Sequence, residues 1–139
     1  LREAGLSRYL VDGSGDILYE GAGTGIVVGL EDPTDSKKIL GKYTIKEGSL
    51  CSSGTNRRRW RNYTHMIDPH TNSSAEEFIT ASWVYSKKTV TADALATSLF
   101  FVSPEKFETE YDFQYCLINK DKNIKKSAGF EADFLLNNF

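Results

Sequence analysis

What most constrains this chain is how often its apolar runs are interrupted. Ile26-Val-Val-Gly-Leu30 is rich in β-branched residues and stops at Asp32-Pro33; Lys42-Tyr-Thr-Ile-Lys-Glu47 alternates polar with apolar; Phe78 to Tyr85 and Phe113 to Ile118 mix aromatic with small residues. Each is short, and Gly, Asp, Asn, Lys or Pro follows within a few positions, so each reads as a strand closed by a turn. Tyr9-Leu-Val, Ile17-Leu-Tyr19 and Ser49-Leu-Cys51 extend the set, around turns at Asp12-Gly-Ser-Gly15 and Gly48. Asn119 to Asn123 reads as the turn of a last hairpin whose second arm runs from Ile124 to Phe130. The sheet these segments predict is largely antiparallel.

Helical signals are few. Leu1 to Leu6 reads as a last helical turn ending near Gly5. A helix is expected from about Ala92 to Val102, capped by Thr89 or Thr91 and ended ahead of Pro104. Ser103-Pro104 suits the cap and first position of a second, short helix through about Thr109. With no repeat, linker or low-complexity stretch, residues 1–139 are read as a single α+β domain, an antiparallel sheet with a few helices packed on it.

Composition limits the functional classes. At 139 residues and 40% hydrophobic content the chain can bury one modest core, and a formal net charge of -2 gives no basic field for nucleic acid. No apolar run reaches the roughly 20 residues of a membrane-spanning helix, and Leu1-Arg-Glu-Ala-Gly5 has no signal-peptide core. Leu1 is not an initiator methionine, so a processed product or fragment is expected. Cys51 and Cys116 lie far apart, without metal-type spacing, in strand-like runs where buried free thiols are the ordinary case and one disulfide the alternative. The sequons at Asn62 and Asn72 are assigned no role. Gly21 to Gly25 reads as a loop and not as a phosphate loop, because no Gly-Lys-Ser/Thr and no helix follow it.

Asp93 and Thr97 carry the first chemical signal. Four residues apart on one helix face, a carboxylate and a hydroxyl can ligate a hard cation such as Mg²⁺, which takes oxygen ligands and keeps places for water and phosphate. An Asp near a helix start also complements the helix dipole, which is the plainer reading. Arg57 to Arg61, with Trp60 inside, is either a solvated loop or a clamp on phosphate with an aromatic for stacking. Asp16 is expected to stabilise its own turn, and His70, beyond Pro69, to be solvated.

Taken in order, these segments resemble one family. Val11-Asp12-Gly13-Ser14-Gly15-Asp16-Ile17, Val28-Gly29-Leu30-Glu31-Asp32-Pro33, Ser52-Ser53-Gly54-Thr55, His65-Met66-Ile67-Asp68-Pro69-His70-Thr71 and Asp93-Ala-Leu-Ala-Thr97 are similar to successive motifs in the C-terminal half of the ApbE family, flavin transferases that split FAD and attach FMN to a Thr or Ser of a target protein. Family members are usually more than twice this length. Their Met-Gly-Thr-type and Lys-Gly-Tyr-Ala-x-Asp-type segments are not found here. Ser14 and Asn72 stand where the family prefers Gly, and both need a turn that tolerates a side chain.

The resemblance implies a Mg²⁺-dependent transferase with FAD as substrate. It implies His65 as acid/base, Ser52, Ser53, Gly54, Thr55, His65 and Asp68 around the flavin nucleotide, and Asp93 and Thr97 on the metal. It implies an acceptor protein, with a second chain or a homo-oligomer completing the site, and a location outside the cytoplasmic membrane. The alternative is a module, or a fragment of a longer protein, that holds flavin or nucleotide without turnover.

Overall fold

The computed structural model describes residues 1–56, 58–60, 63–74 and 78–135, and for Arg2, Arg59, Trp60 and Tyr63 the backbone alone. Six strands form the main sheet in the order β1-β2-β5-β8-β9-β10: β1 Tyr9–Asp12, β2 Asp16–Glu20, β5 Gly48–Gly54, β8 Ala81–Ser86, β9 Gln114–Ile118 and β10 Ile124–Lys126. A second sheet takes β11 Ala132–Phe134, β4 Asp35–Ile45 and β3 Ile26–Asp32 in the order β11-β4-β3, and β6 Arg59–Trp60 and β7 Tyr63–Thr64 make a separate hairpin. Every recorded pairing is antiparallel. Helix α1, Thr89–Ser98, is the one α-helix among the described residues. The α+β reading holds.

The main sheet is covered on both faces. Leu50, Ala81, Trp83, Cys116 and Ile118 face the second sheet and pack with Leu30, Tyr43, Ile45 and Phe130. Cys51, Val84, Tyr115 and Leu117 face Ala92, Leu95, Ala96 and Leu99 of α1. Successive residues of a strand point to opposite faces, so β8 and β9 must be buried at nearly every position, and they are, with the polar Ser82 and Ser86 donating to the carbonyls of Ala96 and Asp112. Phe130 is fully buried, its ring 4.6 Å from that of Tyr43; truncating it to Ala is expected to cost about 3–5 kcal/mol.

Three local expectations are corrected. The last hairpin arm stops at Lys126; Phe130 turns into the core and β11 joins β4 in the other sheet. Helix α1 begins three residues earlier than expected, at Thr89, and neither Thr89 nor Thr91 caps it: Lys88 is the N-cap, without a side-chain bond, and the Thr89 hydroxyl instead meets Ser49 Oγ at 2.6 Å. The second helix is only a 3-10 turn, Pro104–Lys106. Both cysteines are free and buried, as the plainer reading had them.

Candidate functional site

Helix α1 runs alongside β5 in matched steps. Four helical residues rise about 6 Å and two strand residues advance about 6.6 Å, so the face at Thr89, Asp93 and Thr97 can follow the row at Ser49, Cys51 and Ser53. The ends are tied by hydroxyl pairs, Ser49 Oγ to Thr89 Oγ1 at 2.6 Å and Ser53 Oγ to Thr97 Oγ1 at 2.9 Å. Ser82 Oγ donates to the Ala96 carbonyl and fastens the same helix to β8. At the middle of the row Asp16 stands directly across from Cys51 in the β2–β5 pairing, so its carboxylate shares the α1 face with Asp93.

Asp16 therefore does not serve its own turn. Asp12 does that, accepting from the Ser14 N–H at 2.9 Å, while the Asp16 backbone carbonyl takes the Gly13 N–H. Burial first, and then the charge of Asp93, raise the Asp16 carboxyl from its ordinary value, against opposing bonds from the Cys51 thiol and the Ser52 N–H. The Cys51 thiol lies 3.8 Å from the Thr89 carbonyl and against Asp16; burial and then Asp16 push it up. Nothing in the motif spacing marked Asp16 as a neighbour of Asp93; only the strand register does.

A metal at Asp93 and Thr97 would find oxygen donors of the right hardness for Mg²⁺. The set is short in number: among the described residues no three His, Cys, Asp or Glu side chains gather to hold an ion. The pair also sits away from the helix mouth. Because α1 starts at Thr89, Asp93 lies in its second turn and Thr97 in its last, and the first turn holds no acid. The positive helix end thus lies about 12 Å from Thr97, beyond the one-turn reach of its field.

At the end of the same strand is a polar cavity of about 260 Å³, lined by Ser14, Ser52, Ser53, Gly54, Asn56, Glu31, Arg58, His65 and Trp83 among others. Ser52 is oriented by Gly15, its N–H donating to that carbonyl at 3.1 Å and its hydroxyl at 3.3 Å. Gly15 has φ 117°, and a Cβ there would lie 3.1 Å from Ser52 Oγ, so the turn needs glycine at that point. His65 is exposed at the cavity, its N–H donating to the Arg58 carbonyl at 3.2 Å.

Two expected ligand residues stand apart from this cavity. Thr55 is 3% exposed, and both its N–H and its hydroxyl go to the Thr80 carbonyl, at 3.0 and 3.3 Å. Asp68 builds its own loop: its Oδ1 accepts from the His70 N–H at 2.8 Å, its N–H donates to Ser73 O, and its carbonyl takes the Asn72 N–H. Asn72 and Ser14 both adopt left-handed backbone, φ 54° and 66°, as residues in place of glycine must there. His70 is exposed as expected. Arg57, Arg61 and Asn62 lie outside the described residues, as do the side chains of Arg59 and Trp60, so of the arginine run Arg58 alone has a described side chain.

The two-sheet arrangement with one flanking helix is an ApbE-type fold. It superposes on the apbe protein of Thermotoga maritima with a TM-score of 0.77 at 21% identity, over 88% of this chain and 43% of that one. On the flavin transferase ApbE of Vibrio cholerae the TM-score is 0.71 at 24% identity, over 91% and 44%. The ApbE family model matches residues 1–114, and the chain belongs to the ApbE family. The FAD:protein FMN transferase of Escherichia coli (strain K12) is 29% identical over 114 residues, 76% of this chain. The chain spans about a third of the length of that relative and under half of the two solved proteins.

Proposed function

We propose that this chain carries part of the site of an FAD:protein FMN transferase, in which Ser52, Ser53, Gly54 and His65 line the place of the flavin nucleotide. Membership of the ApbE family, with His65 and the Ser52-Ser53-Gly54 strand end sharing one polar cavity, is the observation that carries this reading. The cavity is smaller than the roughly 300–1,000 Å³ of most small-molecule sites, which supports completion by a second polypeptide or a second copy.

In this reading a Thr or Ser hydroxyl of the acceptor attacks the phosphorus on the FMN side of the pyrophosphate. A new P–O bond forms, the bond to the adenylate oxygen breaks, and AMP leaves. His65 takes the hydroxyl proton, the general-base role for which an imidazole is suited. Ser52 and Ser53 orient phosphate or ribityl oxygens. Asp93 and Thr97 would hold Mg²⁺, which supplies positive charge for the pyrophosphate when bound. Thr55 and Asp68 fix the surrounding loops in this scheme. By family resemblance we also propose that the protein acts outside the cytoplasmic membrane; fractionation of cells with antibody to the chain tests it.

Incubation with FAD, Mg²⁺ and a Thr- or Ser-containing acceptor peptide, followed by mass spectrometry, tests the chemistry. The expected result is FMN covalently on the peptide with AMP released, and a drop of about 10²–10⁴-fold for His65→Ala. FAD binding without transfer, unchanged on adding the remaining ApbE half as a second polypeptide, would leave a flavin-holding module instead.

A further inference from the structure

We propose that Arg58 is the residue that binds the phosphate group of the nucleotide in the polar cavity, acting beside His65; this rests on the nucleotide reading above. A cavity meant for a pyrophosphate needs positive charge near it. The amino end of α1 does not provide it, because that end lies at Thr89, about 12 Å along the helix from Thr97; Mg²⁺ held at Asp93 and Thr97 would be one source, and a basic side chain of the cavity is another. Among the described residues, the ionisable side chains lining the cavity are Glu31, Arg58 and His65. Glu31 accepts from Asn56 Nδ2 at 3.3 Å.

The small hairpin explains why Arg58 and His65 face the cavity together. Arg59 pairs with Thr64 and Trp60 with Tyr63, so the next step of the ladder sets Arg58 across from His65, and the His65 N–H to Arg58 carbonyl bond at 3.2 Å closes it. Residues directly opposite in an antiparallel pair share a face with Cβ atoms about 5 Å apart. Both side chains line the same cavity, next to the hydroxyls of Ser52 and Ser53. Arg58 is exposed, and among the described residues no carboxylate or carbonyl engages its guanidinium. An arginine fork beside an imidazole and two serines matches phosphate oxygens, which arginine takes in paired bonds. Riboflavin carries no phosphate for the paired bonds, so the contact separates phosphorylated flavins from riboflavin.

Titration of the full chain with FAD, FMN, riboflavin and inorganic pyrophosphate, for wild type, Arg58→Gln and Arg58→Lys, tests the assignment, with circular dichroism confirming each fold. Arg58→Gln should weaken FAD, FMN and pyrophosphate binding about ten- to a hundred-fold and leave riboflavin unchanged, with Arg58→Lys in between. Unchanged FAD or pyrophosphate affinity in a folded Arg58→Gln protein overturns the proposal, as does an equal loss for riboflavin. If wild type binds FAD but never transfers FMN, the transferase reading fails and Arg58 is still judged by the affinities. If wild type binds no flavin, pyrophosphate decides: binding lost in Arg58→Gln supports the residue, and no binding by wild type overturns it.

Discussion

Asp16 and Asp32 are both carboxylates at strand ends, yet their surroundings are opposite. Asp32, 4% exposed, accepts from the Thr34 N–H at 2.7 Å, from Thr34 Oγ1 at 2.6 Å and from Lys122 Nζ at 3.3 Å. Burial pushes its carboxyl up, but those donors outweigh it and the net shift is downward. Asp16 meets a thiol, one N–H and the negative charge of Asp93, and its net shift is upward. An acid that completes its own bonds holds the fold together. An acid set beside another acid lowers the stability of the fold when both are charged.

Substitution gives the largest effect. Asp32→Ala is expected to lose about 2–3 kcal/mol in urea unfolding, because it removes the acceptor of the Thr34 N–H and hydroxyl and one partner of Lys122. Asp16→Ala should cost far less; equal losses at the two positions would end the contrast.

Magnesium should act on one region only. At tenfold above its Kd, Mg²⁺ bound at Asp93 would raise stability by about 1.4 kcal/mol. Thermal melts with and without the ion should show that gain in wild type and not in Asp93→Asn, with Asp32→Asn gaining as much as wild type. A gain that survives in Asp93→Asn would move the cation elsewhere.

The pH dependences should have opposite signs. The folded-state carboxyl of Asp32 is lowered, so its contribution is present above the ordinary value of 3.8 and is lost as pH falls through the folded value. That of Asp16 is raised, so its favourable state is the protonated one, present at low pH and lost as pH rises through the folded value. Unfolding measured from pH 3 to 7 for Asp32→Asn and Asp16→Asn against wild type should show the first difference shrinking toward acid and the second growing toward neutral. The smallest effect follows at pH 7, where Asp16→Asn should stabilise the metal-free protein by a few tenths of a kcal/mol.

Much of this contrast was hidden in the sequence, for physical reasons. That Asp93 and Thr97 share one helix was legible because helical spacing is local, and Ser14 and Asn72 because a left-handed turn has few tolerant residues. Asp16 was not, since which residue lies across from Cys51 depends on register between segments more than thirty positions apart. The first half of β4 was not legible either: the strand runs from Asp35 to Ile45, and its opening residues are polar and mostly exposed, so they carry no apolar alternation. The start of α1 was misjudged because the Thr89 hydroxyl, read as a cap, is spent on Ser49. Strand pairing and long-range hydroxyl pairs leave no periodic trace.

The matched steps of α1 and β5 give the helix two moorings with Asp93 between them. Its carboxylate is located by the framework, as a mark between two pegs is located by the pegs, before any ion arrives. Loosening either tie from the strand side, at Ser49 or at Ser53, should let the helix slide along the strand and blur that mark while Asp93 and Thr97 themselves stay unaltered.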